Sequence, residues 1–176
     1  MMKRIAQTIF AAALLLSGVS LSHADTQARQ FVLNTGFGLF INYGDFAGTE
    51  GLNGAFDIAL EPEYFFSEHT SLSFRFDATV GGIDSIHFGA SFRYYFDIPN
   101  HPRNNLYLGA GFGGGVVFVD GDDTGFGDFA IPVFGWQYDI GEHFKIGSEI
   151  SFNILFNGHD AAFATRLMPL VLKWAF

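Results

Sequence analysis

Between residues 71 and 80 the side chains alternate without a break. Leu72, Phe74, Phe76, Ala78 and Val80 fall on one side, and Ser71, Ser73, Arg75, Asp77 and Thr79 on the other. A repeat of two is the repeat of a β-strand, whereas a helix would scatter the same residues around its axis. The stretch therefore predicts a strand with one apolar and one charged face. Such an element has to place its two faces in different surroundings.

Seven further segments follow the same rule. Residues 31–42 align Phe31, Leu33, Phe37, Leu39 and Ile41. Residues 55–66 set Phe56, Ile58, Leu60, Tyr64 and Phe66 against Asp57, Glu61 and Glu63. Residues 86–97 set Ile86, Phe88, Ala90, Phe92, Tyr94 and Phe96 against His87, Ser91, Arg93 and Asp97. Residues 105–119 alternate Leu106, Leu108, Ala110, Phe112, Val116 and Phe118 with Tyr107 and four glycines. Residues 129–139 are less regular, with Phe134, Trp136 and Tyr138 opposite Gln137 and Asp139. Residues 144–156 alternate Phe144, Ile146, Ile150, Phe152, Ile154 and Phe156 with Lys145, Glu149, Ser151 and Asn153. Residues 163–176 end with Met168, Leu170, Leu172, Trp174 and Phe176 on one face.

Eight strands of roughly 10–14 residues are the right number and length for a closed sheet that crosses a bilayer. No 3.6-residue repeat and no linker runs through residues 25–176. The expected fold is all-β: a single domain, an eight-stranded antiparallel up-and-down transmembrane β-barrel.

The first 24 residues differ in kind. Lys3 and Arg4 precede an apolar run from Ile9 to Leu16, and Ser22, His23 and Ala24 form a small-x-small site before Asp25. This is the pattern of a cleaved secretory signal, too short to span a bilayer as a helix. Its removal takes the formal net charge from -9 to -11, since it carries two basic residues and no acid. A chain this acidic is a poor match for a phosphate backbone, so nucleic acid is not an expected partner. There is no cysteine, which excludes disulfides and thiolate chemistry.

Alternation alone fits a soluble sandwich as well as a membrane barrel. Aromatic content decides between them: 23 Phe, 6 Tyr and 2 Trp make up 18% of the chain. A closed barrel can turn those rings to lipid. They also group at strand ends. Tyr64, Phe66, Tyr94, Tyr95, Phe96, Trp136, Tyr138, Phe144, Trp174 and Phe176 fall at one end, and Phe40, Tyr43, Phe118, Phe126, Phe129 and Phe156 near the other. Two such girdles mark the two headgroup boundaries. Segments 67–69, 98–104 and 140–143 suit turns at the periplasmic end. Segments 43–54, 81–85, 120–128 and 157–162 suit outward loops, none long enough to form a sizeable lid.

With the apolar face turned to lipid, the charged face fills the lumen, where an unpaired charge is costly. The expected arrangement is a lumenal charge network of Glu61, Glu63, Arg75, Asp77, Arg93 and Glu149, with Arg75 and Arg93 braced by the glutamates. Glycines 109, 111, 113 and 115 would give these long side chains room.

The signal segment, the alternating strands and the ending Met168, Pro169, Leu170, Val171, Leu172, Lys173, Trp174, Ala175, Phe176 together resemble the small eight-stranded outer-membrane barrels of the OmpA and OmpX type. The resemblance spans residues 25–176. It implies export through the periplasm to the outer membrane of a Gram-negative-type bacterium. It also implies contact with outer-membrane lipids and lipopolysaccharide, a monomer, and recognition by the barrel-assembly machinery of an assembly signal matched by Leu170, Leu172, Trp174 and Phe176. No peptidoglycan-binding domain is expected after Phe176, so the resemblance is to the single-domain members.

Chemistry-bearing patterns are weak. Ser85 and His87, beside Asp84, share a strand face but lack the His-x-Ser-Asn type motif of lipid A deacylase barrels. His159 and Asp160 fit a solvated turn, and His69, His101 and His143 lie in separate turns. Asp120, Asp122 and Asp123 make an acidic loop that offers only a weak divalent-metal candidate. The glycines of 109–115 lack the Gly-Lys-Ser/Thr ending of a phosphate loop. No cofactor and no catalytic residue is expected. The sequence thus points to a non-enzymatic barrel with a side-chain-filled lumen and a structural or surface-interaction role. The alternatives are a narrow channel or carrier for small hydrophobic molecules and a lipid A-modifying enzyme.

Overall fold

The computed structural model describes residues 30–46, 51–119 and 122–176; the signal segment, residues 1–24, lies outside them. Eight strands follow in order: β1 (Gln30–Tyr43), β2 (Leu52–Phe65), β3 (Thr70–Gly81), β4 (Asp84–Asp97), β5 (Asn104–Val119), β6 (Asp122–Asp139), β7 (Phe144–Phe156) and β8 (Ala161–Ala175). Each pairs antiparallel with its sequence neighbours, and β1 also pairs with β8, which closes the sheet into a barrel. Closure gives every strand two partners, so no row of backbone N–H and C=O groups is left facing hydrocarbon.

The faces are inverted relative to a soluble protein. Phe112 and Phe163 on the outside are each 67% exposed, whereas Asp57 and Glu63 on the inside are fully buried. Exposed rings are not confined to the ends: Phe74, Phe76, Phe88 and Phe112 stand along the middle of the barrel wall. The amphipathic rings are the ones that gather, with Tyr64, Tyr94, Trp136, Tyr138 and Trp174 all towards the end that holds both termini. Three residues expected in the girdles are inside instead. Tyr95 is buried in the lumen beneath Glu63, Phe40 lies under Arg166, and Phe126 stacks on His87. Each has the parity of the polar positions on its own strand, and parity outranks aromatic character.

Two β-bulges shift the phase of the pattern. The β6 pairing slips between Ala130 and Val133, where Pro132 stands. The β8 pairing slips where Met168 and Val171 face Glu149 and Gly147, around Pro169. A proline cannot donate to the ladder, so both sit where a bulge leaves a residue unpaired. The second bulge corrects the face expected for β8. Arg166 and Met168 point inward before it, Val171, Lys173 and Ala175 point inward after it, and Leu170, Leu172, Trp174 and Phe176 are on the outside. Met168, 1% exposed, is therefore not on the same face as Leu170.

Segment 120–128 is also not a loop in the described residues: β6 starts at Asp122 and pairs with β5 from Val119 downward. Its Asp and Gly content imitates a loop, but Phe126 and Asp128 keep the inward parity of a strand. The remaining connections are short. The β3–β4 link is Gly82 and Ile83, with the Gly81 N–H held by Asp84.

The glycines of β5 serve the wall as well as the lumen, where a Cβ on Gly109 would lie 3.1 Å from Arg93 Cγ and one on Gly115 2.9 Å from the Phe126 ring. A Cβ on Gly109 would lie 2.5 Å from the Phe92 carbonyl oxygen of β4, and one on Gly111 2.7 Å from that of Ala90. At Gly113 and Gly115 it would collide with the carbonyls of Phe88 and Ile86. Strand β4 thus approaches β5 more closely than a side-chain-bearing residue allows, and the sheet can bend there.

Candidate functional site

The inward positions of the eight strands stack in layers along the barrel axis. Nearest the termini lies an apolar and aromatic cluster of Val32, Phe65, Tyr95, Tyr107, Val133 and Ala175. At the opposite end Phe40, Phe46, Ala55, Ile83, Val117, Leu155, Ala162 and Ala164 pack together with Phe126 against them. Phe46 comes from beyond the end of β1 and is 3% exposed, so the connection after β1 tucks a ring into the mouth. Between these two caps lie the ionic groups.

The lower ionic layer joins Glu61, Glu63, Arg75, Arg93, Glu149 and Lys173. Arg75 donates through Nε to Glu61 at 2.7 Å and through Nη2 to Glu149. Arg93 donates through Nη2 to Glu149 at 2.7 Å, pairs through Nη1 with Glu61, and lies 3.5 Å from Glu63. The remaining carboxylate valences are filled by Tyr107 Oη on Glu149 at 2.8 Å, Tyr95 Oη on Glu63 at 2.7 Å, Asn34 Nδ2 on Glu63 at 2.9 Å, and the Ser71 hydroxyl. Lys173 Nζ lies 3.7 Å from Glu63 and over the Tyr107 ring. Three carboxylates meet three cations, so the layer balances. In a water-excluded interior this pairing and the extra hydrogen bonds are what make the charges tolerable.

The upper layer holds Asp57, Asp77, Asp128, His87 and Arg166. Arg166 donates through Nε to Asp57 at 2.6 Å and through Nη2 to Asp77 at 2.9 Å. His87 Nδ1 lies 3.1 Å from Asp77 and Nε2 2.6 Å from Asp128. A cavity of about 30 Å³ between the layers, lined by Arg75, Ser91, His87, Asp128 and Arg166, has room for about two waters.

The structure brings Glu61, Glu63, Arg75, Arg93 and Glu149 together, and sets Asp77 apart from them in the upper layer. Sequence reasoning misses Arg166, because the bulge reverses its face, and Asp128, because its segment resembles a loop; it places His87 on the polar face but beside Ser85, not in the charge network. Ser85 and His87 do share the inward face, but the Ser85 hydroxyl pairs with Thr79 at 2.7 Å and Asp84 faces the other way. His69, His101, His143 and His159 occupy separate connections between strands. Asp120 lies outside the described residues, and Asp123 is exposed. Among the described residues no group of three or more His, Asp or Glu is arranged to hold a metal ion.

A closed eight-stranded barrel with a greasy exterior and a packed ionic lumen is an arrangement suited to a bilayer. The family described as outer membrane protein beta-barrel domain matches residues 11–166. The chain belongs to that outer-membrane β-barrel family. Solved barrels of the same fold include Neisserial surface protein A, with a TM-score of 0.66, 14% identity, and 83% of this chain and 97% of that one covered. The N-terminal β-barrel domain of Pseudomonas aeruginosa OprF superposes with a TM-score of 0.57 at 14% identity, over 85% of this chain and all of that one. Ail, the attachment invasion locus protein of Yersinia pestis, does so with a TM-score of 0.52 at 19% identity, over 85% of this chain and all of that one. No curated protein sequence matches the chain. As a member of the outer-membrane barrel family it is an integral protein of the Gram-negative outer membrane, and the exposed Phe, Leu and Ile of its wall are its lipid-facing surface.

Proposed function

We propose that this outer-membrane barrel is non-catalytic and non-conducting, and that it serves the envelope as a structural or surface-interaction element. The observation that carries the reading is the packing of the lumen. Among the described residues two ionic layers lie between apolar caps, and a cavity between them, about 30 Å³, is far too small for a solute. That size also argues against a carrier for hydrophobic molecules. Arg93, Tyr107 and Glu63 are each no more than 1% exposed, so the lower ionic layer is closed to a lipid A substrate.

The surface-interaction half of the proposal draws on the likeness to Ail, whose name assigns it to attachment and invasion. The exported route, the lipopolysaccharide surroundings and recognition of the β8 ending by the assembly machinery complete the reading. Leu170, Leu172, Trp174 and Phe176 all face outward at the β8 seam, where such a partner can reach them. Planar-bilayer recording tests the central point. The purified barrel should give no sustained openings, and stepwise conductance would overturn the sealed-lumen reading. Lipid A from cells with and without the protein should have the same mass spectrum; a lost or added acyl chain would reinstate the enzyme.

A further inference from the structure

The upper ionic layer is out of balance where the lower one is not. Asp57, Asp77 and Asp128 are all buried, and one guanidinium, that of Arg166, is bonded among them, to Asp57 and Asp77, while Arg75 acts on these two only from a distance as part of the lower layer. With a neutral imidazole at His87 the layer would be short by two positive charges. The geometry around the ring bears on this directly. Nε2 lies 2.6 Å from Asp128 Oδ2, and Nδ1 lies 3.1 Å from Asp77 Oδ2. A neutral imidazole has one N–H and one lone pair. Either tautomer would therefore set a ring lone pair near a carboxylate oxygen, whereas the imidazolium donates through Nδ1 to Asp77 and is drawn by its charge to Asp128, a contact at ion-pair distance without hydrogen-bond alignment. Arg166 Nη2 also approaches Nδ1, but at 3.4 Å, and its donors are engaged by Asp57 at 2.6 Å and Asp77 at 2.9 Å. Arg75 lines the far side of the neighbouring cavity. The Phe126 ring stacks on the imidazole at 5.6 Å and closes it off from the mouth.

The position of this contact in the barrel gives it leverage. His87 on β4 sits beside Gly115 of β5, and Asp128 on β6 sits beside Gly113. The ion-pair contact of His87 with Asp128 thus passes over a strand that offers no side chain, and links β4 to β6 where β5 cannot. His87 to Asp77 ties the same ring back to β3.

We propose that His87 is carried as an imidazolium clasp that bridges β3, β4 and β6 over the glycine face of β5, and that proton loss from it makes the loop end of the barrel a pH-responsive lock. When the proton leaves to solvent, the charge attraction of the ring to Asp77 and Asp128 is lost and three carboxylates remain around the one guanidinium bonded to this layer. The folded barrel binds the charged form, so the stabilisation is present at low pH and is lost as pH rises. This inference rests on the lumen geometry alone and is independent of the proposed envelope role.

Nitrogen-15 NMR of histidine-labelled protein in lipid nanodiscs reads the state of the ring. At pH 7.5 the His87 signals, identified by their shift in Asp128→Asn and their loss in His87→Gln, should be those of two protonated ring nitrogens. A neutral-tautomer pair would overturn the proposal. Urea unfolding from vesicles between pH 7 and 8.5 supplies the energetic reading. The folding equilibrium of the wild-type barrel should fall by up to about tenfold per pH unit relative to His87→Gln, the slope for one proton held only in the folded state. Parallel pH profiles for the two proteins would also overturn it. Should His87→Gln fail to fold, the NMR reading on the wild-type barrel decides the matter alone.

Discussion

Glu149→Gln should be among the most damaging conservative substitutions in this barrel. Glu149 is 4% exposed and sits at the centre of the lower layer. Its Oε2 accepts from Arg93 at 2.7 Å and from Tyr107 at 2.8 Å, and its Oε1 accepts from Arg75. The glutamine fills the same volume, so no cavity term enters. What changes is charge: the layer goes from balanced to one positive in excess, with both guanidinium groups still enclosed. Removing one partner from a buried ion pair costs about 3–5 kcal/mol. The lower figure is expected here, since the amide oxygen of glutamine still accepts one donor. At urea m-values of about 1–3 kcal/mol/M that loss moves the midpoint down by roughly 1–3 M. Unfolding from lipid vesicles, followed by the fluorescence of Trp136 and Trp174, measures it. Glu149→Gln combined with Arg75→Gln restores the balance, so the double variant should be at least about 1 kcal/mol more stable than the sum of the singles. A single-variant loss below about 1 kcal/mol, or strict additivity, would refute the claim that the layer is held by mutual neutralisation.

Two further outcomes follow from the wall. Gly113→Ala places a methyl group against the Phe88 carbonyl and 2.8 Å from the Gly89 Cα; overpacking of this kind should lower stability by about 1–3 kcal/mol in the same urea assay, and an unchanged midpoint would mean that β4 and β5 can separate freely. Phe112→Arg puts a charge at a 67% exposed site halfway along β5, and should reduce the stability of the vesicle-inserted barrel by about 2–4 kcal/mol; no effect would place Phe112 away from the hydrocarbon.

Much of this was legible in the residues because a β-strand has a period of two and a membrane barrel has only two surroundings to offer. Leu72, Phe74 and Phe76 could be assigned to one face and Arg75 and Asp77 to the other with no knowledge of neighbouring strands. Where a strand slips by one residue, that logic reverses. Arg166 and Met168 have the parity of Leu170, Trp174 and Phe176, yet the bulge at Pro169 turns them inward. Proline in a strand was the available signal, and the same signal at Pro132 marks the irregularity of β6. Tyr95, Phe40 and Phe126 lie inside for a different reason: alternation outranks aromatic character in setting the face of a side chain.

Sequence by itself determined the number of strands, the greasy outside and the presence of buried ions, since each is a one-dimensional property of pattern and composition. Only the tertiary structure decided which ions meet. Glu149 and Arg75 are 74 residues apart and Arg166 and Asp57 are 109 apart, and these pairs exist because closure of β1 on β8 and the stagger of the strands set their heights in the lumen. The division into a balanced layer and an acid-rich one is likewise a consequence of register, because the energy of a buried charge depends on what stands within a few ångströms and not on its place along the chain.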